Sequence, residues 1–222
     1  MFRRTLAATL LLAVATALPA AVAAADGDAG QFDDPARWSA TWDSPDRAPW
    51  QRPYSVQWFL GDIDGQTVAD LGAGTGYFTP MLAGGVGETG RVYAVDIEQP
   101  MLDFVMARKD LAGKDNVVPL LAAPDDPRLP DGAIDLIFTC NTWHHIEGRP
   151  AYLERLRRAL KPSGRVVLID WRRAERPVGP PADRALARDT VVAEFQAAGW
   201  TLGAESVALP YQYVLTFDPP LD

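Results

Sequence analysis

Three glycines at alternate positions follow an acid in the run Asp70-Leu71-Gly72-Ala73-Gly74-Thr75-Gly76. Glycines so spaced let the backbone approach a ligand closely where a strand hands over to a helix. An acid just ahead of them repels a pyrophosphate and suits a cationic or ammonium-bearing ligand. Asp96, 24 residues beyond Gly72, stands where a carboxylate accepts hydrogen bonds from two ribose hydroxyls. A nicotinamide fingerprint wants a further glycine at position 77, where this chain has Tyr77, and that counts against a nicotinamide-dependent oxidoreductase. Alone, such a glycine run often serves only a turn; together with Asp96 it points to a nucleoside-bearing ligand.

The second candidate chemistry is carried by Trp143-His144-His145, which holds both histidines of the chain. His144 and His145 are therefore the candidate imidazole bases. The alternative is structural, with a histidine capping the helix that follows or bonding a backbone carbonyl. Adjacent histidines do not converge on one metal as residues four apart on a helix do, and the single Cys140 forms neither an internal disulfide nor a thiolate cluster. No metal site is expected.

The elements that must position these residues are legible as apolar runs at 67–71, 91–96, 117–121, 134–140 and 165–170, each too short for an ordinary helix and read as buried strands. Helix-compatible stretches lie at 76–83, 100–112 and 149–160, the last with Leu153, Leu156 and Leu160 at spacings of three and four. Strands alternating with helices imply right-handed parallel crossovers and hence an α/β, doubly wound, Rossmann-like sheet. A helix over 185–198 closed by Gly199, then two strands over 201–209 and 211–217 joined by a tight turn, complete the chain. In such a sheet the ligand crevice lies beyond the carboxyl ends of the strands, where Gly72, Asp96 and His144 all fall.

Of 222 residues, 48% are apolar, and 21 basic residues face 29 acidic ones for a net charge of −8, so a globular protein without a cationic field for nucleic acid is expected. Residues 1–25 have a basic start at Arg3-Arg4, an apolar stretch and small residues before position 26, the layout of a cleavable export signal. Export to the periplasm or medium is expected, through the unfolded-chain route ahead of the twin-arginine route, with no stable membrane insertion after cleavage. Residues 26–60 read as an irregular arm rich in Asp, Pro and Trp that ends in a short helix over 54–60. Its Trp38, Trp42 and Trp50 are too large an apolar load for a solvated linker, so it is expected to pack on the domain at 61–222.

Val68 to Phe78, then Val92-Tyr93-Ala94-Val95-Asp96-Ile97, then Leu160-Lys161-Pro162-Ser163-Gly164-Arg165 resemble, in order and spacing, the successive motifs of class I S-adenosylmethionine-dependent methyltransferases. The resemblance covers about residues 60 to 170. It implies a seven-stranded sheet of order 3-2-1-4-5-7-6 with strand 7 antiparallel, S-adenosyl-L-methionine as cofactor, and methyl transfer to a small-molecule acceptor. It also implies that Gly72, Ala73, Gly74 and Gly76 pass beside the cofactor's methionine portion with Asp70 near its amino end. Asp96 then holds the ribose, Ile97 packs on the adenine, and Asn141 sits near the methionine end. Many relatives carry Gly-Asp after the third strand; here Ala122-Ala123 stand there, so backbone groups or a shifted Asp125 are expected at the adenine edge. Displacement at a sulfonium carbon proceeds largely by alignment in a low-polarity site, with or without a histidine base. The arm is expected to close over cofactor and acceptor, and Arg172, Arg173 and Arg176 are candidates for the acceptor rim. Because the methyl donor is made in the cytoplasm, the alternative is an exported protein that binds the cofactor without turnover.

Overall fold

The computed structural model describes residues 32–220, so the export signal expected at 1–25 lies outside the described residues. Three short helices come first, α1 (Pro35–Trp42), α2 (Ala48–Gln51) and α3 (Pro53–Leu60). There follow β1 (Thr67–Leu71), α4 (Thr79–Gly85), β2 (Arg91–Asp96), α5 (Gln99–Met106), β3 (Val117–Leu121), β4 (Ile134–Cys140), α6 (Arg149–Ala159) and β5 (Leu160–Trp171). The chain ends with α7 (Arg188–Ala197), β6 (Thr201–Ser206) and β7 (Gln212–Asp218). The seven strands form one sheet in the order β3-β2-β1-β4-β5-β7-β6, with β7 antiparallel to both of its neighbours. This is the expected doubly wound topology. One layer of core joins Ile137, Val166 and Leu168 to α6 and α7, and the other joins Val68, Phe138 and Val167 to α4 and α5. Burial on both faces is why the central strands read as continuous apolar runs.

Every helix except α7 carries proline in its first turn, where the missing N–H is not needed. The boundaries differ from the sequence reading for local reasons. Gly76 is left-handed at φ 81°, which delays α4 to Thr79. The helix expected over 100–112 stops at Met106, because Arg108 turns extended to reach Thr75 O, Asp43 and Asp110, and a single 3-10 turn follows at Lys109–Leu111. β5 begins at Leu160, which pairs with Ile134 ahead of the register shift that precedes Leu136. The tight turn expected between the last strands is a five-residue connection, 207–211, held from outside by Arg52 Nη1 donating to Ala208 O at 2.6 Å.

Over its described residues, 32–60, the arm is not irregular. It forms α1, a 3-10 turn at Pro45–Arg47 and α2 before α3. These pieces are too short for a periodicity window, and their signals are local caps: Asp34 Oδ1 accepts from Arg37 N at 3.0 Å and Ser44 Oγ from Asp46 N at 3.3 Å. The expectation that the arm packs on the domain holds. Trp38 is buried and stacks on Trp42 with ring centroids 4.7 Å apart, above the strand ends.

Candidate functional site

The floor of the crevice is the glycine loop. Gly72 and Ala73 both donate to Val95 O, at 2.8 and 2.9 Å, which pins the loop to the neighbouring strand. Gly72 has φ 75°, and a Cβ there would stand 2.7 Å from Thr142 Cβ with Thr142 Oγ1 and Cγ2 closer still. Gly74 is bare backbone beneath the arm; a Cβ would meet the Trp42 ring at 3.1 Å. Gly74 N donates to Asp96 Oδ2 at 2.8 Å and Glu98 N to Asp96 Oδ1 at 3.0 Å. Each Asp96 oxygen so engaged retains a lone pair for a hydroxyl donor. Desolvation raises the Asp96 pKa above the usual carboxylate value. Asp70 is buried, accepts from Thr79 Oγ1 at 2.6 Å, and is pushed by desolvation to about 6.

The structure brings Asp70, Gly72, Ala73, Gly74, Asp96, Ile97, Asn141, His144 and His145 to the wall of one cavity of about 490 Å³. Two expected residues stand apart from it. Gly76 faces α5, where a Cβ would meet Val105 Cγ2 at 3.0 Å, so it serves the packing of the loop. Asp125 is directed outward, its backbone O and its carboxylate both taken by Arg155. The cause is a tight turn closed by Ala123 N to Asp126 O at 2.8 Å, which carries the Asp125 side chain into solvent and leaves Ala122 and Pro124 on the wall. Nor do the arginines after β5 rim the cavity. Arg176 curls back onto the Arg172 and Pro180 carbonyls and lies 5.0 Å over the Trp171 ring, so Trp171, Val178, Gly179 and Pro180 line that side instead.

Beyond β4 the triplet divides. Trp143 turns into the core and donates Nε1–H to Glu194 Oε2 at 3.3 Å. His144 Nδ1 lies 2.8 Å from Asp170 Oδ1, and its backbone N donates to Asp170 Oδ2 at 3.1 Å. Trp171 N also donates to Asp170 Oδ1, at 2.8 Å. A carboxylate only accepts, so the proton between the two sits on Nδ1, and His144 lines the cavity. Asp170 is 1% exposed and fixes the tautomer. The His145 ring lies 4.1 Å from that of His144; burial, then the neighbouring imidazole, pushes its pKa down to about 4, although the residue as a whole stays open to solvent at the rim.

Sequence reasoning passed over Asp170 as a strand end, and gave no chemistry to Arg47, Gln51 or Gln212. Arg47 Nε and Nη2 donate to Gln51 Oε1 at 3.2 and 3.0 Å. Gln51 Nε2 donates to Gln212 Oε1 at 3.0 Å, and Gln212 Nε2 to Asn141 Oδ1 at 2.7 Å. Gln51 and Gln212 are both fully buried. No local pattern singled them out, since Gln51 stands beside Arg52 and Gln212 between two tyrosines. Asn141 itself is left-handed at φ 60°.

These features fit an adenosyl amino acid. Asp96 suits a ribose diol, buried acid at Asp70 suits an ammonium, and the bare Gly74 backbone beneath Trp42 is a cradle that a side chain would fill.

Residues 69–168 match a family model described as a methyltransferase domain. Over 116 residues, 51% of this chain and 46% of the other, the chain is 32% identical to the ubiquinone/menaquinone biosynthesis C-methyltransferase of Cupriavidus metallidurans. The chain spans about half the length of the curated relatives it matches. A SAM-dependent methyltransferase from Aquifex aeolicus superposes with a TM-score of 0.77 at 31% identity, over 83% of this chain and 97% of that one. The DhpI–SAH complex superposes with a TM-score of 0.63 at 23% identity, over 83% and 91%, a likeness of fold.

Proposed function

The chain belongs to the class I S-adenosylmethionine-dependent methyltransferases, and on that premise we propose that it methylates a small, flat, largely apolar acceptor bearing an acidic proton. The observation that carries this reading is that one cavity joins the glycine loop and Asp96 to the His144–Asp170 pair beneath an aromatic arm. When bound, S-adenosylmethionine supplies an electrophilic methyl: the acceptor's lone pair forms the new bond to carbon while the C–S electrons return to sulfur, leaving S-adenosylhomocysteine.

The chain's own residues bind, orient and exclude water. Asp96 takes the ribose hydroxyls, and Ile97, Ala122 and Pro124 pack on the adenine. Trp42 and Trp50 cover the reacting end, and aromatic faces favour a neighbouring positive sulfur. His144 Nε2 receives the acceptor's proton, and Asp170 stabilises the imidazolium that results. Such a base acts on a phenolic or enolic hydroxyl, or on the ring carbon made nucleophilic by its loss. The lining of Phe32, Trp50, Trp171, Val178 and Pro180 suits a ring of that kind. The Cupriavidus metallidurans relative, a C-methyltransferase of ubiquinone/menaquinone biosynthesis, agrees with this class.

The test is titration of the full chain with S-adenosylhomocysteine, followed by methyl transfer from labelled cofactor to a panel of phenols and hydroxyquinones. Micromolar binding and more than one methyl transferred per protein support the proposal. Binding with at most one turnover favours the exported, non-turning-over alternative, and no binding at millimolar ligand overturns both. Export remains part of the proposal; it predicts fractionation outside the cytoplasm with a mature chain beginning at Asp26.

A further inference from the structure

The two faces of α3 differ in an unusual way. Val56 and Leu60 are buried in the core with Leu82 and Val214, while Tyr54 and Trp58, half a turn away and four residues apart, stand 85% exposed each. A surface helix normally presents charged or polar side chains on its outward side. The run 53–61 holds no charged residue, in a chain where 23% of residues are charged. Nor does the run 206–217, whose Val207 is 84% exposed. Arg52 joins the two runs: it is exposed just ahead of α3, and its Nη1 donates to Ala208 O at 2.6 Å. No carboxylate pairs with Arg52 among the described residues, so most of its guanidinium donors are unspent.

Size and charge together select what covers this face. A buried aromatic side chain contributes about 150–250 Å². Tyr54, Trp58 and Val207 therefore fall short of the roughly 800 Å² that each partner of a stable protein interface buries. Reversible binding to a bilayer needs less, because it draws on apolar area and headgroup attraction together. Tryptophan and tyrosine are the side chains that settle at such an interface, with the ring toward the acyl chains and the polar edge among the headgroups. Headgroup phosphates supply the anion that Arg52 lacks, and a face without carboxylates meets them without repulsion.

We infer that the face formed by Tyr54, Trp58 and Val207 around Arg52 docks on the surface of a phospholipid bilayer. The docking stands on these exposures and does not depend on which reaction the cavity performs. Its consequence for substrate delivery does rest on the proposed function. The connection that carries Val207 ends at Tyr211, whose ring lies 6.4 Å from that of Trp50, and Trp50 lines the cavity. An apolar acceptor dissolved in the bilayer then reaches the cavity from its aromatic side.

The experiment mixes the full chain with vesicles of phosphatidylethanolamine and phosphatidylglycerol whose acyl chains are brominated, and reads tryptophan fluorescence. Salt of about 0.15 M screens the net charge of the chain beyond roughly 8 Å. Bromine quenches an indole that enters the acyl boundary, and residues 1–25 hold no tryptophan, so the apolar stretch there adds no signal of its own. The wild type should be quenched. Trp58→Phe, which keeps an aromatic ring at this exposed position, should lose most of that quenching. Tyr54→Glu should raise the lipid concentration for half-quenching by about tenfold, through lost aromatic area and an added negative charge, and Arg52→Gln by about fivefold. No quenching of the wild type would overturn the docking, and that result needs no variant to fold. Quenching that survives Trp58→Phe would overturn it as well, since another face would then be the one inserted. A dimer that forms without lipid and is dissociated by Trp58→Glu, seen by sedimentation velocity, would give the face to a second copy of the chain and overturn the bilayer. Titration of the same samples with S-adenosylhomocysteine reads the cofactor site separately, so a failure of that reading is distinguished from a failure of the docking.

Discussion

Gly72→Ala isolates the close approach on which the glycine loop depends. Two penalties apply. Gly72 has φ 75°, so any L side chain there carries a left-handed strain of about 1–2 kcal/mol. Its Cβ would also stand 2.7 Å from Thr142 Cβ and closer to both branches of that β-branched side chain, an overpacking of about 1–3 kcal/mol. Gly113 separates the two, because it has φ 76° and nothing within 4 Å of its would-be Cβ. Gly113→Ala should therefore show the strain alone, and the difference between the variants should be the collision, about 1–3 kcal/mol. For a chain of this length each kcal/mol moves Tm by about 2–4 °C, so circular-dichroism melts of the two variants resolve it. Adding Thr142→Gly to Gly72→Ala removes all three contacts and should restore the collision share but not the strain. S-adenosylhomocysteine affinity should fall in Gly72→Ala and remain unchanged in Gly113→Ala. Equal melting points for the two single variants would refute the reasoning.

Three further outcomes follow from the same geometry. Asp70 has its pKa raised from 3.8 to about 6, so the folded state favours the protonated acid; that stability is present below about pH 4 and is lost as pH rises through 6. Asp70→Asn, which still accepts from Thr79, should abolish this fall of about 2–3 kcal/mol in chemical denaturation between pH 4 and 7. His145, depressed from 6.5 to about 4, slopes the other way across that window, more weakly because solvent reaches it. His144→Gln should lower kcat for a hydroxylated acceptor by about 10²–10⁴ with little change in S-adenosylhomocysteine affinity, and a rate within threefold of wild type would remove the base from the mechanism. Asp96→Ala should weaken S-adenosylhomocysteine at least a hundredfold and lower Tm as well, since Gly74 N and Glu98 N lose their charged acceptor; binding retained in the melted-down variant would show that Asp96 only holds the loop.

Much of this was legible because the deciding forces are local or periodic. Apolar runs too short for a helix read as β1 to β4 to the residue, and parallel pairing then brings the end of β1 beside the end of β2. That adjacency puts Gly74 within a hydrogen bond of Asp96, although 22 positions separate them. The elements misread were those whose signals are single caps, as in α1 and the 3-10 turn at Pro45–Arg47, or whose ends are set by one side chain reaching across the fold, as Arg108 does for α5.

The sequence by itself determined the doubly wound sheet, the glycine loop, the acid that ends β2 and the placing of both histidines past β4, because hydrophobic period, glycine conformation and strand-end position all act over a few neighbouring residues. Tertiary structure decided which partners those groups received. It turned Asp125 outward, handed His144 the buried Asp170 26 positions away, and joined Gln51 to Gln212 across 161 positions, the contact that sets Arg47 in the wall of the cavity. Such pairings depend on where the folded sheet and arm leave a buried polar atom in need of an acceptor, and no local pattern along the chain carries that information.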